Sequence, residues 1–243
     1  MKKPIRVAFF DLGNTLIYDK DSWEKLYQQA DSALWESLRS SGVKSKPTGI
    51  YSGHKTLFHY YYDLREPELD EPGIVNVFRE LLKDHNILVP EEKLHQAILA
   101  MYDVTQANWY IEEDAISTLE VLRTQGVRLG IISNGADDEN TQALIDKAKI
   151  RPYFEFIISS AAFGKRKPHP GIFQAGLDHF KIPPEQAVMI GDTFDADILG
   201  GQAIGMNTIW VTRRVRDTAT HYETQPDAIV KSLREIPRLL TQP

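Results

Sequence analysis

The stretch Val7-Ala8-Phe9-Phe10-Asp11-Leu12-Gly13-Asn14-Thr15-Leu16 reads as a buried strand that ends on a carboxylate and passes into a tight turn. Four consecutive apolar residues without alternation fit a strand covered on both faces, as in a parallel sheet. In open α/β sheets ligands gather outside the carboxyl ends of the strands, so Asp11 is placed to act as a nucleophile or metal ligand. A strand-terminal Asp on its own often only caps the next helix. Three later segments repeat the pattern of a strand end bearing polar residues: Ile131-Ile132-Ser133-Asn134, Gly164-Lys165-Arg166-Lys167-Pro168 and Met189-Ile190-Gly191-Asp192.

Composition sets outer bounds. With 243 residues, 42% of them apolar, the chain can bury one large core, or a core and a smaller lobe. A net charge of −6 argues against a broad nucleic-acid-binding face. The absence of cysteine removes disulfides, thiolate chemistry and zinc–cysteine sites. Met1-Lys2-Lys3-Pro4-Ile5-Arg6 has the charge of a signal n-region, but Arg6 and Asp11 interrupt the apolar stretch that should follow. No run approaches membrane-spanning length, and the expectation is a soluble cytoplasmic protein with no membrane partner. Oligomeric state has no signature in the chain.

The pattern changes character twice. Residues from about 21 to 110 read as helix only. Asp21 with Glu24 suggests a capping box, Trp23, Leu26, Tyr27, Ala30, Leu34 and Leu38 recur at helical spacing, and Gly42 stops the helix. Pro72 and Pro90 sit where a first helical residue would, ahead of Ile74/Val77/Phe78/Leu81 and Leu94/Ala97/Ile98/Met101. The aromatic stretch from His54 to Leu64 reads mostly as packing. From about 112 onward helices alternate with strands at Val127–Ile132, Phe154–Ile158, Ala187–Ile190, Thr208–Val211 and Ala228–Val230. Helices near 138–148, 170–181, 195–204 and 231–240 separate them. Alternation of this kind predicts a parallel sheet covered on both faces. The first strand must join that sheet, which makes the helical segment an insertion. The expected division is 1–17 with 111–243 as an α/β core and 18–110 as a helical lobe. Glu112-Glu113-Asp114 and Asp137-Asp138-Glu139 read as acidic first turns of helices, and Arg213, Arg214 and Arg216 as a solvated loop.

Taken together these segments resemble the haloacid dehalogenase-like (HAD) hydrolase superfamily, with a helical cap inserted after the first motif. The family's Asp-x-Asp-x-Thr falls on Asp11, Gly13 and Thr15. Its strand-end Ser/Thr falls on Ser133 with Asn134, and its Lys followed by Pro-x-Pro on Lys167-Pro168-His169-Pro170. Its Gly-Asp-x-x-x-x-Asp cluster falls on Gly191-Asp192 and Asp197. All four occur in order across the chain. The resemblance implies a three-layer Rossmann-like core with a cap, Mg2+ as cofactor and a small phosphorylated molecule as substrate. Asp11 would be the nucleophile that forms an aspartyl-phosphate. Asp11, Asp192 and the backbone carbonyl of Gly13 would hold the metal, with Asp197 at the same centre orienting a metal-bound water. Lys167 would hold Asp11 and the phosphoryl oxygens. Ser133, Asn134, Leu12, Gly13, Asn14 and Thr15 complete the expected substrate-binding set, through the Ser133 hydroxyl and through backbone N–H groups.

Gly13 departs from the family pattern. Phosphatases of the family carry a second Asp there as general acid/base, and loss of such a group costs about 10²–10⁴ in rate. The carbonyl remains, so metal binding should outlast catalysis. Asn14 stands where Gly is usual, and Asn tolerates left-handed geometry better than most residues. Three readings follow: a phosphatase whose acid/base comes from elsewhere, with Asp19, Asp21, His54 and His59 as donors to consider; a dehalogenase or phosphonatase-like branch, the latter needing a lysine such as Lys44, Lys46 or Lys55; or a protein that binds magnesium and phosphate with little turnover. The retained acidic cluster favours the first.

Overall fold

A computed structural model describes residues 4–20, 23–44, 69–215 and 224–241. The readings at Asp21, His54, His59, Lys46, Lys55, Arg216 and the stretch from His54 to Leu64 lie outside the described residues. The chain divides into two compact units, one of Met1–Tyr18 with Tyr110–Pro243 and the other of Asp19–Trp109.

The first unit is built on a six-stranded sheet. Its strands are β1 (Val7–Phe10), β4 (Arg128–Ser133), β5 (Phe156–Ser159), β6 (Ala187–Gly191), β7 (Asn207–Val211) and β8 (Ala228–Val230), in the order β5-β4-β1-β6-β7-β8. Each neighbouring pair is parallel. Two short strands outside this sheet, β2 (Ile17–Asp19) and β3 (Trp109–Ile111), pair with each other where the chain passes between the two units. The expectation of helix alone up to residue 110 missed this ribbon, because three-residue strands are too short to show a period.

All four residues of β1 are fully buried, which is what an unalternating apolar run requires. Phe9 faces one layer, where it packs with Ile172, Phe173, Leu177 and Phe180 of a helix and with Met189 of β6. Gly130 and Gly176 make room for its ring: a Cβ at either would lie 2.8 or 2.6 Å from it. Ala8 and Phe10 point to the other face, also fully buried, and the helix Ala115–Thr124 packs against β4 and the C-terminal helix. The molecule therefore has helices on both faces of a parallel sheet, a three-layer Rossmann-like fold.

The helices of the described residues, in chain order, are α1 (Trp23–Ser40), α2 (Ile74–Asp84), α3 (Glu91–Gln106), α4 (Ala115–Thr124), α5 (Asp138–Lys147), α6 (Ser160–Phe163), α7 (Pro170–Phe180), α8 (Gly200–Ala203) and α9 (Ile236–Thr241). Of the three described in the second unit, α1 and α2 both pack on α3, and the apolar residues expected on α2 and α3 are buried. Neither expected N-terminal proline is the first helical residue: Pro90 is the N-cap of α3, and Pro72 lies just upstream of the N-cap Gly73. No described helix is long and apolar enough to cross a membrane.

Two expected helices are less regular than a continuous α-helix. Phe194–Leu199 is a π-helical turn that runs into α8, and a 3-10 turn at Leu233–Glu235 precedes α9. The π turn buries Asp197 completely, and single π turns recur at functional positions.

Candidate active site

Strand order brings the site together. β1 lies between β4 and β6, so the carboxyl ends of three adjacent strands present Asp11, Ser133 and Asp192 side by side at the point where the chain reverses its progress across the sheet. The turn after β1 closes through Leu16 and Ile17 N–H groups donating to the Leu12 carbonyl, at 2.9 and 3.0 Å. Asn14 takes the left-handed conformation that this turn demands, with φ 55°. Gly13 does not share it, so its lack of a side chain is not imposed by the backbone.

A cavity of about 210 Å³ opens over these strand ends. Asp11, Gly13 and Asn14 line it from β1, Ser133 and Asn134 from β4, and Asp192, Thr193, Ala196 and Asp197 from β6 and the turn that follows. Arg166 and Lys167 complete the wall. Leu12 and Thr15 are buried behind it and are not part of the lining. The Leu12 N–H is already directed at the Asp11 carboxylate. The Thr15 hydroxyl is buried without a hydrogen-bond partner.

Lys167 is only 1% exposed despite its place in a basic run. Its ammonium donates to Asp11 Oδ1 at 2.7 Å, to Asp197 Oδ1 at 2.6 Å and to the Ile132 carbonyl at 2.7 Å. An ammonium has three N–H bonds, and all three are taken by protein acceptors. Asn134 clamps the backbone at the same residue. Its Oδ1 accepts from Lys167 N–H at 2.7 Å and its amide donates to the Lys167 carbonyl at 3.0 Å, beside the cis Lys167–Pro168 bond. The side chain of Asn134 thus holds the lysine through both its oxygen and its nitrogen. Asp197 Oδ2 accepts from the Thr193 N–H at 3.0 Å. The approach of Asp197 requires a glycine opposite, because a Cβ at Gly191 would overlap its carboxylate.

Electrostatics then points to a missing positive charge. Asp11, Asp192 and Asp197 each offer an oxygen, and these oxygens lie within 4.8 Å of one another. Burial drives Asp11 up to about 6, against the pull of the Lys167 charge and with a push from Asp197. Asp192 is driven up to about 8, by burial first and then by the charges of Asp11 and Asp197. Burial also works against the charge on Lys167, but the two carboxylates outweigh it and hold that pKa above the ordinary lysine value. One ammonium does not neutralise three carboxylates. A hard divalent cation that prefers oxygen ligands fits this donor set.

Sequence reasoning overlooked several contributors. The Trp210 indole N–H donates to the Asp192 carbonyl at 2.8 Å while its ring meets Phe194 edge-on at 5.0 Å, fixing the start of the acidic loop. A buried Trp in a strand carries an N–H that needs a partner, which was the available signal. Arg213 and Arg214 are ion-paired rather than free, although Arg214 is exposed as expected of a solvated loop. Arg213 binds Glu112 at 2.7 Å and Asp114 at 2.5 Å, and Arg214 binds Glu112 at 2.8 Å and lies 3.8 Å over the Tyr18 ring. Glu112 and Asp114 are 3% and 1% exposed, so they serve these arginines rather than a helix dipole. By contrast Asp137 does cap α5, accepting from the Asn140 N–H at 2.9 Å. Asp19 receives the Trp23 indole N–H at 2.5 Å.

A doubly covered parallel sheet with an acidic cluster and a buried lysine at its switch point defines a class of α/β hydrolases. The chain belongs to the haloacid dehalogenase-like hydrolase family, whose family description matches residues 5–205. It is 31% identical over 175 residues to a phosphoglycolate phosphatase of Nitrosococcus oceani, covering 70% of this chain and 77% of that one. It is 26% identical over 247 residues to a glyceraldehyde 3-phosphate phosphatase of Pyrococcus furiosus, covering 97% and 92%. Among solved structures, a 2-haloacid dehalogenase from Pseudomonas syringae superposes with a TM-score of 0.71 at 24% identity over 97% of this chain and 98% of that one. A HAD phosphatase from Thermococcus onnurineus gives 0.67 at 19% identity over 98% of each chain. At these identities the structural likenesses establish the fold.

Proposed function

We propose that this protein is a magnesium-dependent phosphatase acting on a small phosphorylated metabolite, with Asp11 as nucleophile. The observation that carries this reading is the convergence of three carboxylates around one buried lysine at the head of β1. The phosphatase names of the sequence relatives support the substrate class, and the residues 19–109 fit the role of a cap.

Asp11, Asp192 and the Gly13 carbonyl would hold magnesium, with Asp197 orienting a water on it. Bound magnesium would offset charge between nucleophile and phosphate. An Asp11 oxygen attacks phosphorus, the bond from phosphorus to the ester oxygen breaks, and the departing alkoxide takes a proton from water. Water then cleaves the aspartyl-phosphate, releasing phosphate and restoring the Asp11 carboxylate. Lys167 keeps Asp11 ionised and aimed, which its buried contact at 2.7 Å accomplishes. Gly13 offers no proton to the alkoxide, so esters with good leaving groups should be the better substrates.

The test is hydrolysis of a panel of small phosphate esters and of 2-chloropropionate, in magnesium and in EDTA, beside Asp11→Asn. Phosphate release that needs magnesium and falls by about 10³-fold or more in the variant is the expected result. Halide release in EDTA would move the protein to the dehalogenase branch. Magnesium and phosphate binding without any turnover would mean that Gly13 has turned the fold from an enzyme into a binder.

A further inference from the structure

We propose that Trp210 is a positioning residue for magnesium, acting through Asp192 by holding the peptide group from which that ligand's side chain departs. The inference rests on the magnesium-dependent reading above and adds a residue of β7, outside the acidic cluster itself.

The sheet sets the placement. β6 and β7 run parallel with Gly191 opposite Trp210, so the indole stands level with the last residue of β6. From there its N–H reaches one residue further and donates to the Asp192 carbonyl at 2.8 Å. Trp210 is 5% exposed, and its ring packs in a cluster with Phe194 and Ile198, both of the π turn. Phe194 meets it edge-on at 5.0 Å. Close packing of this kind fixes the direction of the donor as well as its distance.

The same peptide group is held at its other end. The Thr193 N–H shares one planar unit with the Asp192 carbonyl, and it donates to Asp197 Oδ2 at 3.0 Å. Trp210 thus pins the oxygen of that unit and Asp197 pins its nitrogen, while Asp197 Oδ1 accepts from Lys167 at 2.6 Å. A planar unit pinned at both ends cannot turn about the Cα–C bond of Asp192, which sets the direction in which Cβ leaves the backbone. The carboxylate is held weakly by comparison. Beyond its own N–H, its partner among the described residues is the Thr193 hydroxyl at 3.5 Å, the limit of a hydrogen bond. Asp11 and Asp197 present like charges within 4.8 Å, a repulsion that favours swinging Asp192 away until a cation offsets it. The tethered backbone opposes that swing, so the ligand is already in place when magnesium arrives.

Calorimetric titration of magnesium into wild type and Trp210→Phe tests this, since phenylalanine keeps a ring in the cluster and loses the N–H. Affinity should weaken by about 10–100-fold, as when other groups that orient a metal ligand are removed. Phosphate release should recover as magnesium is raised to saturation. A spectroscopic signature separates positioning from packing. In the proton–nitrogen NMR spectrum of the wild type, the indole peak that Trp210→Phe lacks should shift as magnesium is added, with the calorimetric affinity. A second variant carries benzothienylalanine at position 210, which keeps the indole shape with sulfur where the N–H was, and it should lose affinity as Trp210→Phe does. Wild-type affinity in that isostere overturns the proposal, because the loss in Trp210→Phe would then be one of packing. An indole peak that ignores magnesium overturns it as well, and so does wild-type affinity in Trp210→Phe. Should Trp210→Phe fail to fold, the isostere decides alone, in affinity and in the spectrum. A wild type that binds no magnesium overturns this proposal together with the magnesium-dependent reading. A wild type that binds magnesium but hydrolyses no ester sinks the phosphatase reading alone, and the affinity series still decides the role of Trp210.

Discussion

At the scale of single residues, two glycines oppose each other in what they permit. Gly191 is required by space, since a Cβ there would collide with the Asp197 carboxylate. Gly191→Ala should therefore displace Asp197 from Lys167, costing about 1–3 kcal/mol of stability. It should also lower phosphate release by about 10²-fold, because misplacement near 1 Å at a catalytic group costs that much. Denaturant titration and initial rates on the same preparation would check both. Gly13, in contrast, carries no left-handed backbone that forbids a side chain. Gly13→Asp should raise turnover by about 10²–10⁴-fold if the missing general acid is the bottleneck. Magnesium affinity should hold, because the carbonyl at that position is kept. Unchanged turnover would mean that another group already protonates the leaving oxygen.

At the scale of elements, the first turn of α4 is tied to the loop after β7 by charges that the chain order hides. Asp114 accepts from Arg213, from the Ser232 hydroxyl at 2.6 Å and from the Leu233 N–H at 3.0 Å. Burial pushes Asp114 up, but the bonds from Arg213 and Ser232 together outweigh it and hold the carboxyl below its ordinary value. A depressed acid contributes stability above its unfolded pKa and loses it as pH falls through the folded one. That contribution should start to fall below about pH 4 and shrink progressively with further acidification. Asp114→Ala should cost about 2–4 kcal/mol, less than a fully buried pair because Arg213 keeps some exposure. Melting curves of the variant and wild type at neutral pH and at pH 3 would show the gap closing in acid.

For the whole molecule, the acidic centre works against the fold until it is neutralised. Asp11 and Asp192 have folded pKa values of about 6 and about 8, both above those of a free Asp. The folded state therefore binds more protons than the unfolded state between about pH 4 and pH 8, and stability from these groups falls as pH rises through that window. In EDTA the melting temperature should drop from pH 5 to pH 8, and Asp192→Asn should flatten the slope. Magnesium held as proposed would compete with the same protons, so its affinity should rise over that range and the magnesium-loaded protein should lose the pH dependence. A melting temperature in EDTA that climbs toward pH 8 would contradict this account.

The sheet and most of the acidic centre were legible in the chain because each rests on local chemistry. An apolar run long enough to bury itself marks a strand, and a carboxylate at its end marks the place where a ligand would meet it. β1, β4, β6 and β7 could be read this way, and so could the left-handed Asn14. The remainder depended on partners distant in sequence. Arg213 looked solvated because Glu112 and Asp114 stand about a hundred positions earlier, and β2 and β3 are too short to carry a period. The saturation of Lys167 required the end of β1, β4, the loop before α7 and the π turn at Asp197 to meet at one nitrogen. Local pattern determined which residues could do chemistry; three-dimensional packing decided which of their hydrogen bonds were already spent, because a donor's partners are fixed only when the strands lie side by side.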